Sequence, residues 1–180
     1  GASSITNNTV RNLYTTSPTA GAGASSAISG IIMNTTNAAG CNVTGNTIDS
    51  LVLGSSSSTA MQITGIFYNG TTSVVNNISG NFIHSFDIVN ANSNVTFTAI
   101  DNAAGTNNLV NNMIRLGIRP DGTDMSNDNI IRGISSNSGS ATNIYFNSIY
   151  IGGANVGATA KNTYGFIRTT GSGTYDIRNN

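Results

Sequence analysis

The sequence predicts an all-β chain wound as a parallel β-solenoid of about five coils, and three observations lead there. One motif (an apolar residue, two residues, Asn, one residue, an apolar residue) recurs six times at spacings of 31–38 residues. A second motif recurs between its copies with a matching period. The composition rejects helices: there is no Glu and a single Lys, while Asn, Ser, Thr, Gly and β-branched residues dominate.

The first motif opens with Ile5, Asn8 and Val10 and returns as Val43, Asn46 and Ile48, then as Ile78, Asn81 and Ile83. It continues as Leu109, Asn112 and Ile114, then Ile144, Asn147 and Ile149, and restarts at Ile177 with Asn180. The second motif places a small residue between apolar ones, giving Gly30, Gly65, Ala99, Gly133 and Gly165 at intervals of 32–35 residues. Each unit holds alternating segments of strand length separated by turn compositions such as residues 34–40, 102–107 and 135–140. One unit cannot bury both faces of its strands, so stacked units must share a core. Stacking makes columns of Ile5, Val43, Ile78, Leu109, Ile144 and Ile177, and of Val10, Ile48, Ile83, Ile114 and Ile149. The Asn8, Asn46, Asn81, Asn112, Asn147 and Asn180 column is expected inside, bonded rung to rung, at a corner where Asn tolerates left-handed backbone. The Gly/Ala column marks a narrowing of the core or a tight bend.

A length of 180 residues reads as one domain over residues 1–180, a segment of a longer chain or of a filament. Disorder is disfavoured because 38% of residues are hydrophobic and they recur in register. A propeller or sandwich would need hairpin signals, and Asn69-Gly70 and Asp121-Gly122 are the tight dipeptides at hand. Formal net charge is +0 with 8% charged residues, which argues against nucleic acid as a partner. No apolar run approaches a membrane span, so membrane insertion is not expected. Cys41 is alone and reads as a small buried residue.

In this light the segment from Asn143 to Gly153, with its Tyr-Phe-Asn-Ser-Ile-Tyr-Ile-Gly run, resembles the right-handed parallel β-helix proteins of the pectate-lyase-like superfamily. It is most similar to repeat regions of secreted and cell-surface bacterial proteins, and the likeness covers the whole chain. The resemblance implies a right-handed parallel β-helix with three sheets and Asn ladders, and an extracellular or cell-surface location. It also implies adhesive, carbohydrate-related or structural roles.

Two sets of residues invite chemistry. The position after the second apolar site reads Arg11, Asp49, His84, Arg115 and Tyr150, a column facing outward with Asp49 and His84 on adjacent rungs. A solvated column of mixed charge is its expected reading, since opposite charges across strands support each other. Asp121, Asp124 and Asp128 fall within eight residues and are the weak candidates for Ca²⁺, although the spacing is not that of an EF-hand and no bidentate Glu is present. No other cofactor is expected, and no nucleophile elbow or zincin motif occurs. Six Asn-x-Ser/Thr sequons, at Asn7, Asn34, Asn42, Asn69, Asn77 and Asn94, are about as many as this composition yields by chance. The aromatic residues read as scattered, and no outward column is uniformly Thr as ice binding would want. The expected function is a structural or adhesive extracellular fibre, stalk or adhesin segment without catalysis. Its expected partner is itself, head to tail along the axis, with surface glycans as a further partner. The alternative is a carbohydrate-active β-helix, either a polysaccharide lyase or a glycan-binding module.

Overall fold

Period-two alternation over short apolar stretches produces three parallel sheets that run the length of a solenoid. The computed structural model describes residues 1–35, 37–90, 94–154, 161–169 and 172–180. The first sheet stacks Ser3–Thr6, Cys41–Thr44, Val75–Ser79, Thr106–Val110, Thr142–Tyr145 and Tyr175–Arg178. The second stacks Thr9–Thr15, Thr47–Leu53, Phe82–His84, Met113–Leu116 and Ser148–Ile151, with Asp87–Ile88 pairing beside Thr47–Leu53. The third stacks Ile28–Asn34, Met61–Asn69, Val95–Ala104, Ile130–Ser136 and Thr163–Arg168.

The register is the one the repeat predicts. Ile5, Val43, Ile78, Leu109, Ile144 and Ile177 are successive partners in the first sheet. Val10, Ile48, Ile83, Ile114 and Ile149 are successive partners in the second. Val43, Ile48, Ile78, Ile83 and Leu109 are fully buried, each worth about 1.5–3 kcal/mol relative to exposure. In the third sheet Ile63 and Ile66, three residues apart, both lie in the core, which strict alternation would forbid. Gly65 sits between them. A Cβ there would come within 2.5 Å of the Ala99 carbonyl oxygen and 2.8 Å of Ile83 Cγ2. Gly30 and Gly133 meet the same obstacle from Ile48 and Ile149, at 2.5 and 2.7 Å. At Gly30, Gly65 and Gly133 the third sheet thus packs directly against isoleucines of the second, the tight spot expected of the column, whereas Gly165 in the last coil meets nothing within 4 Å.

The Asn ladder is internal. Asn46, Asn81 and Asn112 are each 1% exposed. Asn81 shows the full pattern. Its Nδ2 donates to Asn112 Oδ1 and to the Val43 carbonyl, both at 2.9 Å. Its Oδ1 accepts from the Asn46 backbone N–H and Nδ2, both at 3.0 Å. The same bonds repeat from Asn8 to Asn46 and onward to Asn180. Every Asn-to-Asn bond therefore points toward the higher-numbered coil, while the second Nδ2 proton returns to a carbonyl of the coil before, so the ladder has a direction.

One expectation is corrected. The left-handed residue at this corner is the one before the ladder Asn: Asn7, Gly45, Gly80, Asn111, Phe146 and Asn179 all have φ between 55° and 66°. Turning one residue earlier leaves the ladder side chain free to point inward. Coils one to three take a second left-handed residue at Asn12, Ser50 and Ser85, whereas coils four and five run through Leu116 and Ile151 and reach positive φ only at Gly117 and Gly153.

The interior also carries polar groups that the repeat did not announce. Asn76, Asn102, Asn107, Ser136 and Thr142 are buried. Asn76 Nδ2 donates to Asn107 Oδ1 at 3.0 Å, Asn107 Nδ2 to Asn102 Oδ1 at 2.6 Å, and Asn102 Nδ2 to Ser136 Oγ at 3.0 Å. Of the three, the Asn107–Asn102 bond links the first sheet to the third around the corner between them, and all three satisfy groups that would otherwise be costly to bury. Tyr68 donates its hydroxyl to the Cys41 carbonyl at 3.0 Å, and burial together with this contact pushes its phenol well above the ordinary range. Cys41 is buried, as its size suggested.

Candidate functional site

Ionisable side chains concentrate on the outer face of the second sheet, where strand pairing sets them one rung apart. Arg11, Asp49, His84, Arg115 and Tyr150 are successive register partners, so the predicted outward column exists. It is half-buried through its middle three members. His84 Nδ1 lies 2.8 Å from Ser85 Oγ, and the Arg115 guanidinium donates to the same hydroxyl at 2.9 Å. Ser50 donates to Asp49 at 2.7 Å. The His84 ring packs against Phe82 with centroids 4.2 Å apart. Burial holds the His84 pKa below its ordinary value, Asp49 working against that and Arg115 with it. These groups are engaged with one another and with the turn serines, which suits a self-compensating surface strip. Ser85, the hydroxyl nearest His84, is itself buried. Beside the strip, Phe82, Met113, Arg115 and Tyr150 line a shallow groove of about 460 Å³.

The acidic loop is built around a cation that sequence reasoning passed over. Arg119 donates to the Asp124 carbonyl and pairs with Asp87, both at 3.0 Å. Asp121 is exposed and accepts from the Thr123 N–H and hydroxyl at 2.9 and 2.7 Å, bonds that hold its carboxyl below the usual range. Asp124 is exposed and Asp128 half-buried. Asp121, Asp124 and Asp128 are not brought together: among the described residues no group of three or more His, Cys or acidic side chains is placed to hold a metal ion. The loop instead closes an Asx turn on Asp121 and sets a guanidinium against its own backbone.

Two further features escaped the repeat reading. Asn42, Asn77, Asn108 and Asn143 form a second ladder on the outer face of the first sheet, with amide-to-amide bonds of 3.0, 3.3 and 2.9 Å. Each stands four residues before a ladder Asn, so the signal was present but lost in an Asn-rich background. At the corner of the fifth coil, Tyr145 and Phe146 lie edge to face with centroids 6.4 Å apart, beside Asp176 and Arg178. The rings are thus gathered in part rather than scattered.

Among the described residues no helix is long and apolar enough to cross a membrane. No family model matches the chain, and no curated protein or solved structure is detectably similar to it. The structure shows a parallel β-solenoid, and no comparison ties the chain to the pectate-lyase-like superfamily.

Proposed function

We propose that the chain is a structural or adhesive segment of an extracellular β-solenoid, a fibre, stalk or adhesin piece whose coils meet head to tail and which performs no catalysis of its own. The carrying observation is the direction of the Asn ladder. Each coil donates a backbone N–H and a side-chain N–H to the Asn oxygen of the next, from Asn8 through Asn180. Translated by one coil, the pattern would have Asn180 exchange its bond to the Arg178 carbonyl for an onward one and Asn8 accept from behind. A head-to-tail neighbour, whether joined by peptide or by contact, would extend the same bonds, and such an interface propagates into open filaments. Parallel strand pairing along three sheets supplies further axial hydrogen bonds at each junction. The ionisable strip of the second sheet supports a non-catalytic reading because Asp49 is bonded to Ser50, His84 and Arg115 share Ser85, and the three stand on adjacent rungs.

Cryo-electron microscopy of native or concentrated material tests the proposal. Rods in which a rung spacing of about 4.8 Å runs unbroken across unit boundaries are expected. A monodisperse monomer at high concentration, with both terminal coils covered by ordered caps, overturns it.

A further inference from the structure

Departure from a repeat is informative because the repeat shows what the fold itself requires. At the corner before each ladder Asn, five of the six copies are Asn7, Gly45, Gly80, Asn111 and Asn179, the residue types that take left-handed backbone at least cost. The sixth is Phe146, with φ 56° and 56% of its surface exposed. A bulky residue in that conformation is an outlier, and the ring gains little packing in return. Its neighbour departs as well: Tyr145 stands where other coils carry Thr6, Thr44, Ser79 and Val110. The two rings, with Arg178 and Asn179, line a concavity of about 230 Å³.

The polar side of the concavity is equally ordered. Tyr145 donates its hydroxyl to Asp176 Oδ2 at 2.8 Å. Arg178 grips both oxygens of the same carboxylate through Nε at 2.6 Å and Nη2 at 2.5 Å. The guanidinium carbon stands 5.9 Å from the centre of the Tyr145 ring. The pair carries no net charge, and its planar hydrogen-bonding groups sit beside exposed aromatic faces.

We propose that this corner is a subsite for a neutral pyranose saccharide. A pyranose offers an apolar C–H face rimmed by hydroxyls, so its complement is an exposed ring beside fixed planar donors and acceptors. Phe146 and Tyr145 supply the ring surface. Asp176, Arg178 and the Asn179 amide supply partners for vicinal hydroxyls. An acidic sugar or a phosphate would call for an unpaired cation, whereas Arg178 is already neutralised by Asp176. Left-handed backbone at Phe146 leaves the ring on the outside of the corner, 56% exposed. The rings of Tyr145 and Phe146 lie on the outer corner one rung inside the last described strand, while Asp176, Arg178 and Asn179 border the face on which a further coil would stack.

The test uses two substitutions that restore the residues of other coils, Phe146→Asn and Tyr145→Thr. Neutral cello-, xylo-, manno- and chito-oligosaccharides are the probes, with oligogalacturonate as the acidic counterpart. Binding is read by saturation-transfer NMR and calorimetry, and folding by the thermal midpoint. At least one neutral oligosaccharide should bind in the millimolar range or tighter. Phe146→Asn should weaken it about tenfold or more while leaving the midpoint unchanged or raised. Tyr145→Thr should weaken binding in the same sense. Failure of every neutral probe to bind, unchanged binding in Phe146→Asn, tighter binding of oligogalacturonate, or a lowered midpoint in Phe146→Asn would each overturn the assignment.

Discussion

Replacing Asn81 by Ala removes four side-chain hydrogen bonds at once from a residue 1% exposed to solvent. Two of the lost bonds have back-ups: Asn46 Nδ2 keeps the Ile5 carbonyl, and Asn112 Oδ1 keeps the Asn81 backbone N–H. The Asn46 N–H and the Val43 carbonyl lose the side-chain partner that met them. At about 1–3 kcal/mol for each of the two buried groups left unpaired, the expected loss is about 2–6 kcal/mol. Asn81→Asp should cost more than Asn81→Ala, because a second oxygen would then face the Val43 carbonyl and Asn112 Oδ1 and bring a charge with it. Asn8→Ala is the control, since Asn8 is exposed and donates only to Asn46 and to the Thr6 carbonyl. It should cost under about 1 kcal/mol. Urea unfolding followed by circular dichroism ranks the three. A loss below about 0.5 kcal/mol for Asn81→Ala, or equal losses at Asn8 and Asn81, would refute the ladder argument.

Phe146→Asn should raise stability by about 1 kcal/mol by relieving left-handed strain, a gain readable in the same urea series. Gly133→Ala should cost about 1–3 kcal/mol through overpacking, because its Cβ would lie 2.5 Å from the Gly165 carbonyl oxygen and 2.7 Å from Ile149 Cγ2; a neutral result would mean that the two sheets can separate. His84 has a lowered folded pKa, so its contribution is present above its ordinary value of 6.5 and is lost as pH falls from there through the folded value. His84→Gln should therefore flatten the stability profile on the acid side of pH 6.5, measured by thermal melts across buffers. Incubation with polygalacturonate or alginate, with and without Ca²⁺, should yield no cleavage; reproducible cleavage lost on substituting Arg115 or Asp49 would reverse the non-catalytic reading.

The core columns were legible because stacking converts a sequence period into vertical neighbours, and Val10, Ile48 and Ile83 needed only alignment to be placed. The ladder Asn was legible for the same reason. What escaped was whatever depends on two sheets facing each other. Asn102 and Asn107 are only five residues apart but lie on different sheets, and their 2.6 Å bond follows from the angle of an unseen corner. The left-handed position was misplaced by one residue because Asn is common at both sites, and only the Gly45 and Gly80 copies distinguished them. Arg119 was overlooked because the acidic loop was searched for anions, while its structural cation sits just before it.

The ladder and the sheets also fix how the rod should answer force. A pull spread evenly over a terminal coil loads three strand pairs and the Asn bonds of one boundary in parallel, so all must yield together. A pull applied through the peptide at one terminus instead peels strands in sequence, a few bonds at a time. The first geometry is brittle and strong, and the second is compliant and dissipative. Which one a tether engages would decide whether the solenoid behaves as a strut or as a shock absorber.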